Sequence, residues 1–153
     1  MIALACDHGG FELMQKVKAY FDMSGVGYKD FGTYSEESCD YPDMALSAAG
    51  AIARGECSKG IFICGTGAGM AITANKVRGI RAVPCSDCFM AEMIRRHNDA
   101  NVLTLGARVT GADLAIKIID QFLTTGFDGG RHARRVEMIN AIDEEKQRGK
   151  ICT

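Results

Sequence analysis

Ile61-Phe62-Ile63-Cys64-Gly65-Thr66-Gly67-Ala68-Gly69-Met70, residues 61–70, changes character at its midpoint. Ile61 to Cys64 is apolar throughout, the pattern of a strand buried on both faces of a parallel sheet. Three glycines at alternate positions follow, and residues 70–77 read as a helix. A buried strand that turns through glycine into a helix is the repeating step of an α/β fold. The step recurs on both sides. Toward the N-terminus, Ile2 to Ala5 is a strand. A helix over 11–23 sets Phe11, Met14, Val17 and Phe21 on one side. Gly25 and Gly27 precede a strand from Tyr28 to Phe31. After a loop from Gly32 to Tyr41, Pro42 opens a helix in its first turn, and Gly55 closes it after about Ala53. Toward the C-terminus come a strand at Ile80 to Pro84, a helix at 87–96, a strand at Val102 to Leu105 and a helix at 112–124. Gly126, Gly129 and Gly130 then break the chain before a last helix at 131–147. Five strands alternating with helices predict a doubly wound parallel sheet in one domain, 1–153, with no linker or repeat. The last helix has no strand to return to, which predicts that it packs on a partner subunit.

Composition fits that plan. The chain has 153 residues, 47% apolar and 24% charged, so it is neither disordered nor fibrous. Eighteen basic and nineteen acidic residues give a net charge of -1, which calls for neither nucleic acid nor a cation buffer. There is no apolar run long enough for a membrane span and no basic start before the first strand, so the expectation is a cytoplasmic protein. Seven cysteines (6, 39, 57, 64, 85, 88 and 152) are odd in number and lack framework spacing, which reads as reduced thiols. Cys85 and Cys88 form a C-x-x-C. A zinc site would need a second ligand pair, and the three histidines are scattered, so no metal is expected.

Ligands in such sheets bind beyond the carboxyl ends of the strands. The loops there carry Asp7 and His8, Cys64 to Gly69, Ser86 and Asp87, and Gly106 to Arg108. In the glycine loop, backbone N–H groups can approach a ligand oxygen, and the following helix points its positive end at the same spot. A free cysteine titrates near 8.5 and a helix N-terminus lowers that value, so Cys64 reads either as a base or nucleophile or as a small core residue ending a strand. A dinucleotide reading of the glycines has Met70 where the third glycine belongs, although Asp87 stands about 20 residues on. Arg131 and Arg135 share one helix face after a glycine break, which suits a phosphate, or else forms a solvated basic face. Arg108 is a third candidate. His97 is either a proton carrier or a residue interacting with the helix dipole. Asp7-His8-Gly9-Gly10 is either a capped turn or a substrate grip.

Six blocks in order, ACDHGG (5–10), DYPDMA (40–45), ICGTGAGM (63–70), ANKVRGIRA (74–82), RHNDANVLTLGARV (96–109) and GGRHARRVE (129–137), resemble the ribose-5-phosphate isomerase type B family. That family also holds galactose-6-phosphate isomerase subunits and allose-6-phosphate isomerases. The resemblance implies a Rossmann-like sheet and an aldose-ketose isomerase that uses no metal or other cofactor. It also implies a dimer or dimer of dimers with active sites between subunits. It makes Cys64 the base. Thr66 and the amides of Gly65, Gly67, Ala68 and Gly69 would stabilise the enediolate. His97 would open the furanose ring with Asp7 near the ring oxygens, and Asn98 would contact sugar hydroxyls. Arg131 and Arg135 would hold the phosphate, with Arg108 and His8 assisting. His97, Asn98 and Arg108 would be lent by a neighbouring subunit. One subgroup replaces the cysteine with a glutamate on the next helix. Here Met70 opens that helix, which points to the cysteine type. The Cys85-Ser86-Asp87-Cys88 loop bears on sugar length, so hexose 6-phosphates stand beside ribose 5-phosphate as substrates. A nucleotide-binding module and a non-catalytic subunit of a hetero-oligomer are the other readings. The tail KQRGKICT carries no reading.

Overall fold

The computed structural model describes residues 1–147. Five parallel strands form one sheet: β1 (Ile2–Cys6), β2 (Tyr28–Asp30), β3 (Lys59–Cys64), β4 (Ala82–Pro84) and β5 (Val102–Gly106), in the order β2-β1-β3-β5-β4. Both outer strands, β2 and β4, are three residues long. The helices are α1 (Phe11–Ser24), α2 (Tyr41–Ala53), α3 (Ala68–Ala74), α4 (Cys88–Asn98), α5 (Ala112–Thr124) and α6 (Arg131–Gln147).

Right-handed crossovers decide which face each helix covers. The connections β1 to β2 and β4 to β5 run one way across the sheet, and β2 to β3 and β3 to β4 run the other. So α1 and α4, together with α5, bury Leu13, Met14, Val17, Phe21, Ala91, Ile94, Ile118 and Phe122 against Leu4, Ile61, Ile63 and Leu103. On the opposite face α2 and α3 bury Ala45, Ala48, Ala49, Met70 and Ala74 against Ala3, Ala5, Phe62 and Cys64. The alanines of α2 let it lie close to the strands. Phe11, expected on the inner side of α1, is only half-buried, and Leu13 takes the inner place.

Element ends differ from the expected ones for local reasons. Gly67 is the N-cap of α3, so that helix starts at Ala68 rather than 70. It stops before Asn75, whose side chain donates to the Ala82 carbonyl at 2.8 Å and accepts the Ala82 N–H at 2.7 Å. That bracket also delays β4 to Ala82. Asp87 caps α4, with Oδ1 accepting the Met90 N–H at 2.7 Å, so the helix begins at Cys88. α4 then runs on to Asn98 and closes where Asp99 turns left-handed, at φ 45°.

α6 packs against α4 and the 78–81 turn of its own chain. The Gly79 N–H donates to Asp143 Oδ2 at 3.0 Å, and Arg81 donates to Asn140 Oδ1 at 3.2 Å. Met138 stays exposed, and Ile139 and Ile142, also part-exposed, line a groove with Ile80, Ala82 and Val83. No helix among the described residues is long and apolar enough to cross a membrane. The tail from residue 148 lies outside the described residues.

Candidate active site

The residues singled out in the sequence fall into two groups. The first lies beyond the carboxyl end of β3. Neighbouring strands send α1 and α5 to one face while β3 sends α3 to the other, and the diverging chains open a crevice there. Cys64 forms its floor, 5% exposed. Its sulfur accepts the Gly67 N–H at 3.1 Å. That contact depends on the left-handed backbone of Gly67, φ 81°. A Cβ at 67 would also sit 3.0 Å from the Leu105 carbonyl carbon. Gly67→Ala is therefore expected to lose about 1–3 kcal/mol of stability. A lowered denaturation midpoint checks it, and an unchanged midpoint would mean the turn tolerates a side chain.

The loop is held from behind: Ala107 donates to the Cys64 carbonyl at 2.9 Å and Arg108 to that of Gly65 at 3.0 Å. Thr66 is exposed, with Oγ1 accepting the Ala68 N–H at 3.4 Å. The Arg108 side chain lies over Gly65, where a Cβ would be 3.5 Å from its Nε. Alongside runs the β1 loop. Asp7 is 7% exposed and caps a 3-10 turn, its Oδ1 accepting the Gly10 N–H at 3.0 Å. Gly10 has to be glycine, because a Cβ there would lie 2.5 Å from the Ile63 carbonyl oxygen. His8 Nδ1 accepts the Cys39 N–H at 3.2 Å, which puts its ring proton, when neutral, on Nε2. The Tyr41 ring covers Gly69, 2.8 Å from where a Cβ would stand. Tyr41 and Cys39 had no role in the sequence reading. Tyr41 lies in the quoted DYPDMA block, but nothing in its spacing says that its ring turns toward Gly69.

The second group is His97, Asn98, Arg131 and Arg135. α4 leaves the carboxyl end of β4 and descends toward the start of β5 at Val102, so its last residues sit at the opposite edge of the sheet from Cys64. α6 begins beside them. A single chain therefore does not bring His97 to Cys64. Arg108, expected with His97 and Asn98, stands instead with Cys64. His97 and His132 stack face to face, with ring centroids 4.3 Å apart and planes 6° from parallel. His132 is 9% exposed, and burial, then His97, Arg131 and Arg135, push its pKa below the ordinary histidine value. The α4 end is pinned: Arg95 donates to Asp99 Oδ1 at 2.8 Å and to the Ala100 carbonyl at 2.6 Å. Arg81 donates to the Asn98 carbonyl at 3.1 Å and to that of Asp99 at 2.8 Å. Arg131, Arg134, Arg135 and Met138 line a groove of about 390 Å³.

Two loop residues have other duties. Asp87 is spent as the α4 cap. Cys85 is buried and its thiol is pushed up to about 12, chiefly by burial, which removes it from thiolate chemistry near neutrality. The six described cysteines are unbridged, and no cluster of three or more metal-binding side chains occurs among the described residues. The first group thus sets a buried thiol and a turn of backbone N–H donors at one strand end. The second sets two stacked imidazoles beside a groove lined by three arginines.

A family model described as Ribose/Galactose Isomerase matches residues 2–139. Ribose-5-phosphate isomerase B of Escherichia coli K12 is 49% identical over 145 residues, covering 95% of this chain and 97% of that protein. A D-erythrulose-4-phosphate isomerase of Pectobacterium atrosepticum is 40% identical over 147 residues, covering 95% and 97%. Among solved structures, ribose-5-phosphate isomerase B of Clostridium thermocellum superposes with a TM-score of 0.93 at 50% identity, covering 95% of this chain and 98% of that one.

Proposed function

The chain belongs to the ribose/galactose isomerase family and is a sugar phosphate isomerase, and from that premise we propose that it interconverts ribose 5-phosphate and ribulose 5-phosphate with Cys64 as the base. The observation that carries this reading is the Cys64 sulfur on the crevice floor with the Gly67 N–H aimed at it. His97 moves a proton between the ring oxygen and the C1 hydroxyl, and the furanose opens to the aldehyde. Cys64 then takes the proton from C2, and the electron pair moves onto the carbonyl oxygen. The enediolate oxygens face Thr66 and the amides of Gly65, Gly67, Ala68 and Gly69. A proton passes from O2 to O1, the Cys64 thiol returns its proton to C1, and the C2 carbonyl of the ketose is complete. Asp7 borders the ring oxygens and Asn98 the sugar hydroxyls. Arg131 and Arg135 bind the phosphate, with Arg108 and His8 completing the grip from the Cys64 side. Phosphate binding far from C1 and C2 positions the reacting carbons.

The two residue groups lie at opposite edges of one chain, so the complete site forms between two chains, in a dimer or dimer of dimers. His97, Asn98, Arg131 and Arg135 of one subunit face Cys64, Asp7, His8 and Arg108 of the other.

The test is turnover of ribose 5-phosphate by purified protein, beside erythrose 4-phosphate, allose 6-phosphate and galactose 6-phosphate. Turnover of the pentose is the expected result. Turnover of a hexose or tetrose phosphate alone would keep the chemistry and change the substrate, and the Pectobacterium relative makes the four-carbon arm a real competitor. No turnover of any sugar would sink the reading. Arg135→Ala is expected to raise KM about 10- to 100-fold, the worth of a charged hydrogen bond to phosphate, with a smaller fall in kcat. An unchanged KM moves the phosphate elsewhere.

A further inference from the structure

We propose that His132 is a positioning residue: its buried imidazole, stacked face to face on that of His97, holds that ring in the plane from which it opens the cyclic sugar. This rests on the isomerase reading above. The side chain of His97 is half-buried at the last turn of α4, and the backbone there is fixed by Arg81 and Arg95. A fixed backbone still leaves the ring free to turn about its side-chain bonds. The stack removes that freedom, with planes 6° from parallel at a centroid distance of 4.3 Å.

His132 is suited to hold rather than to react. It is nearly closed to solvent, and Arg131 Nε points at its Nε2 at 3.5 Å, leaving that nitrogen as acceptor. The charged and titratable groups facing it are His97 from α4, Arg131 and Arg135 from its own helix, and Asp128 from the preceding turn. Asp128 is the one that favours protonation, and it is itself paired with Arg96 at 3.1 Å. Two cationic rings at this separation would repel, and burial already disfavours charge on His132, so His132 is suited to be the neutral ring of the stack. A neutral ring beneath an imidazolium also stabilises it through its π face.

The experiment separates ring opening from carbon chemistry. Ribulose 5-phosphate cannot close a five-membered ring, because its C5 oxygen carries the phosphate. Exchange of its C1 hydrogen with deuterium from solvent therefore needs the base and the oxyanion donors but no ring-opening histidine. His132→Ala is expected to lower kcat on ribose 5-phosphate by about tenfold or more, part of the 10²–10⁴ a positioned acid-base group contributes. KM should rise by much less than kcat falls, because Arg131 loses only its contact with His132 while Arg135 and Arg108 are untouched, and C1 exchange at saturating substrate should keep its wild-type rate. His132→Phe keeps a flat partner for the stack and should recover most of the lost kcat with a similar pH profile. Wild-type kcat in His132→Ala would overturn the proposal. So would a parallel fall of exchange and isomerisation, or a His132→Phe enzyme as slow as His132→Ala. If the unmodified protein neither isomerises the pentose nor exchanges C1, the isomerase reading has failed, and the inference falls with it.

Discussion

Cys64→Ala is expected to lower kcat about 10²–10⁴-fold, the usual worth of a positioned proton-transfer group. The fold should survive, because the change removes one sulfur at the edge of the core. Its cost is about 1 kcal/mol, at the small end of large-to-small core substitutions. Steady-state rates together with thermal unfolding separate the two effects. KM should move little, since the phosphate grip supplies most of the binding. A variant that turns over near the wild-type rate would return Cys64 to the role of a small residue ending a strand, and the N–H donated by Gly67 would then be a turn contact only.

Mixing two dead proteins should restore life. Cys64→Ala and His97→Ala each spoil one half of a site assembled from two chains. In a mixed dimer one site holds both lesions and the other holds neither. Random pairing makes half of the dimers mixed, and half of their sites are intact, so about a quarter of wild-type activity is expected once subunits exchange freely. Each parent alone should stay at least about a hundredfold down. Native mass spectrometry confirms that mixed oligomers have formed. Mixed oligomers without recovered activity would show that each chain completes its own site.

Much of the architecture was open to reading because burial leaves a strong trace. A strand covered on both faces, such as Ile61 to Cys64, has no polar alternation, and glycine turns mark where chains approach too closely for a Cβ. The helix ends were harder. They depend on single side chains, Asp87 as a cap and Asn75 as a bracket, which look like any polar loop residue. The crevice loops were found by the rule that ligands sit beyond strand ends. That rule is silent on the other edge, where His97 and the α6 arginines gather; residue type and spacing singled them out, but not that a helix leaving one edge carries them to the other. His132 stood in a quoted block with no role. Its contact with His97 depends on how α4 and α6 pack across 35 residues of chain, and no local spacing encodes that. The strand-end rule put Arg108 on the same edge as Cys64 and only the resemblance lent it from a partner with His97; its backbone bond to Gly65 ties it to the Cys64 loop.

The outer strands carry a further consequence. A long, flat, uncovered strand is a template on which another chain can add its own, the usual route to aggregation and to dimers that share a continuous sheet. Here β2 and β4 offer three residues each, and β4 closes with Pro84, which has no N–H to donate. Neither border can recruit a strand over any useful length. Self-recognition is thereby pushed away from backbone pairing and onto side chains, where register is set by shape and charge, and the molecule can have sticky faces without sticky rims.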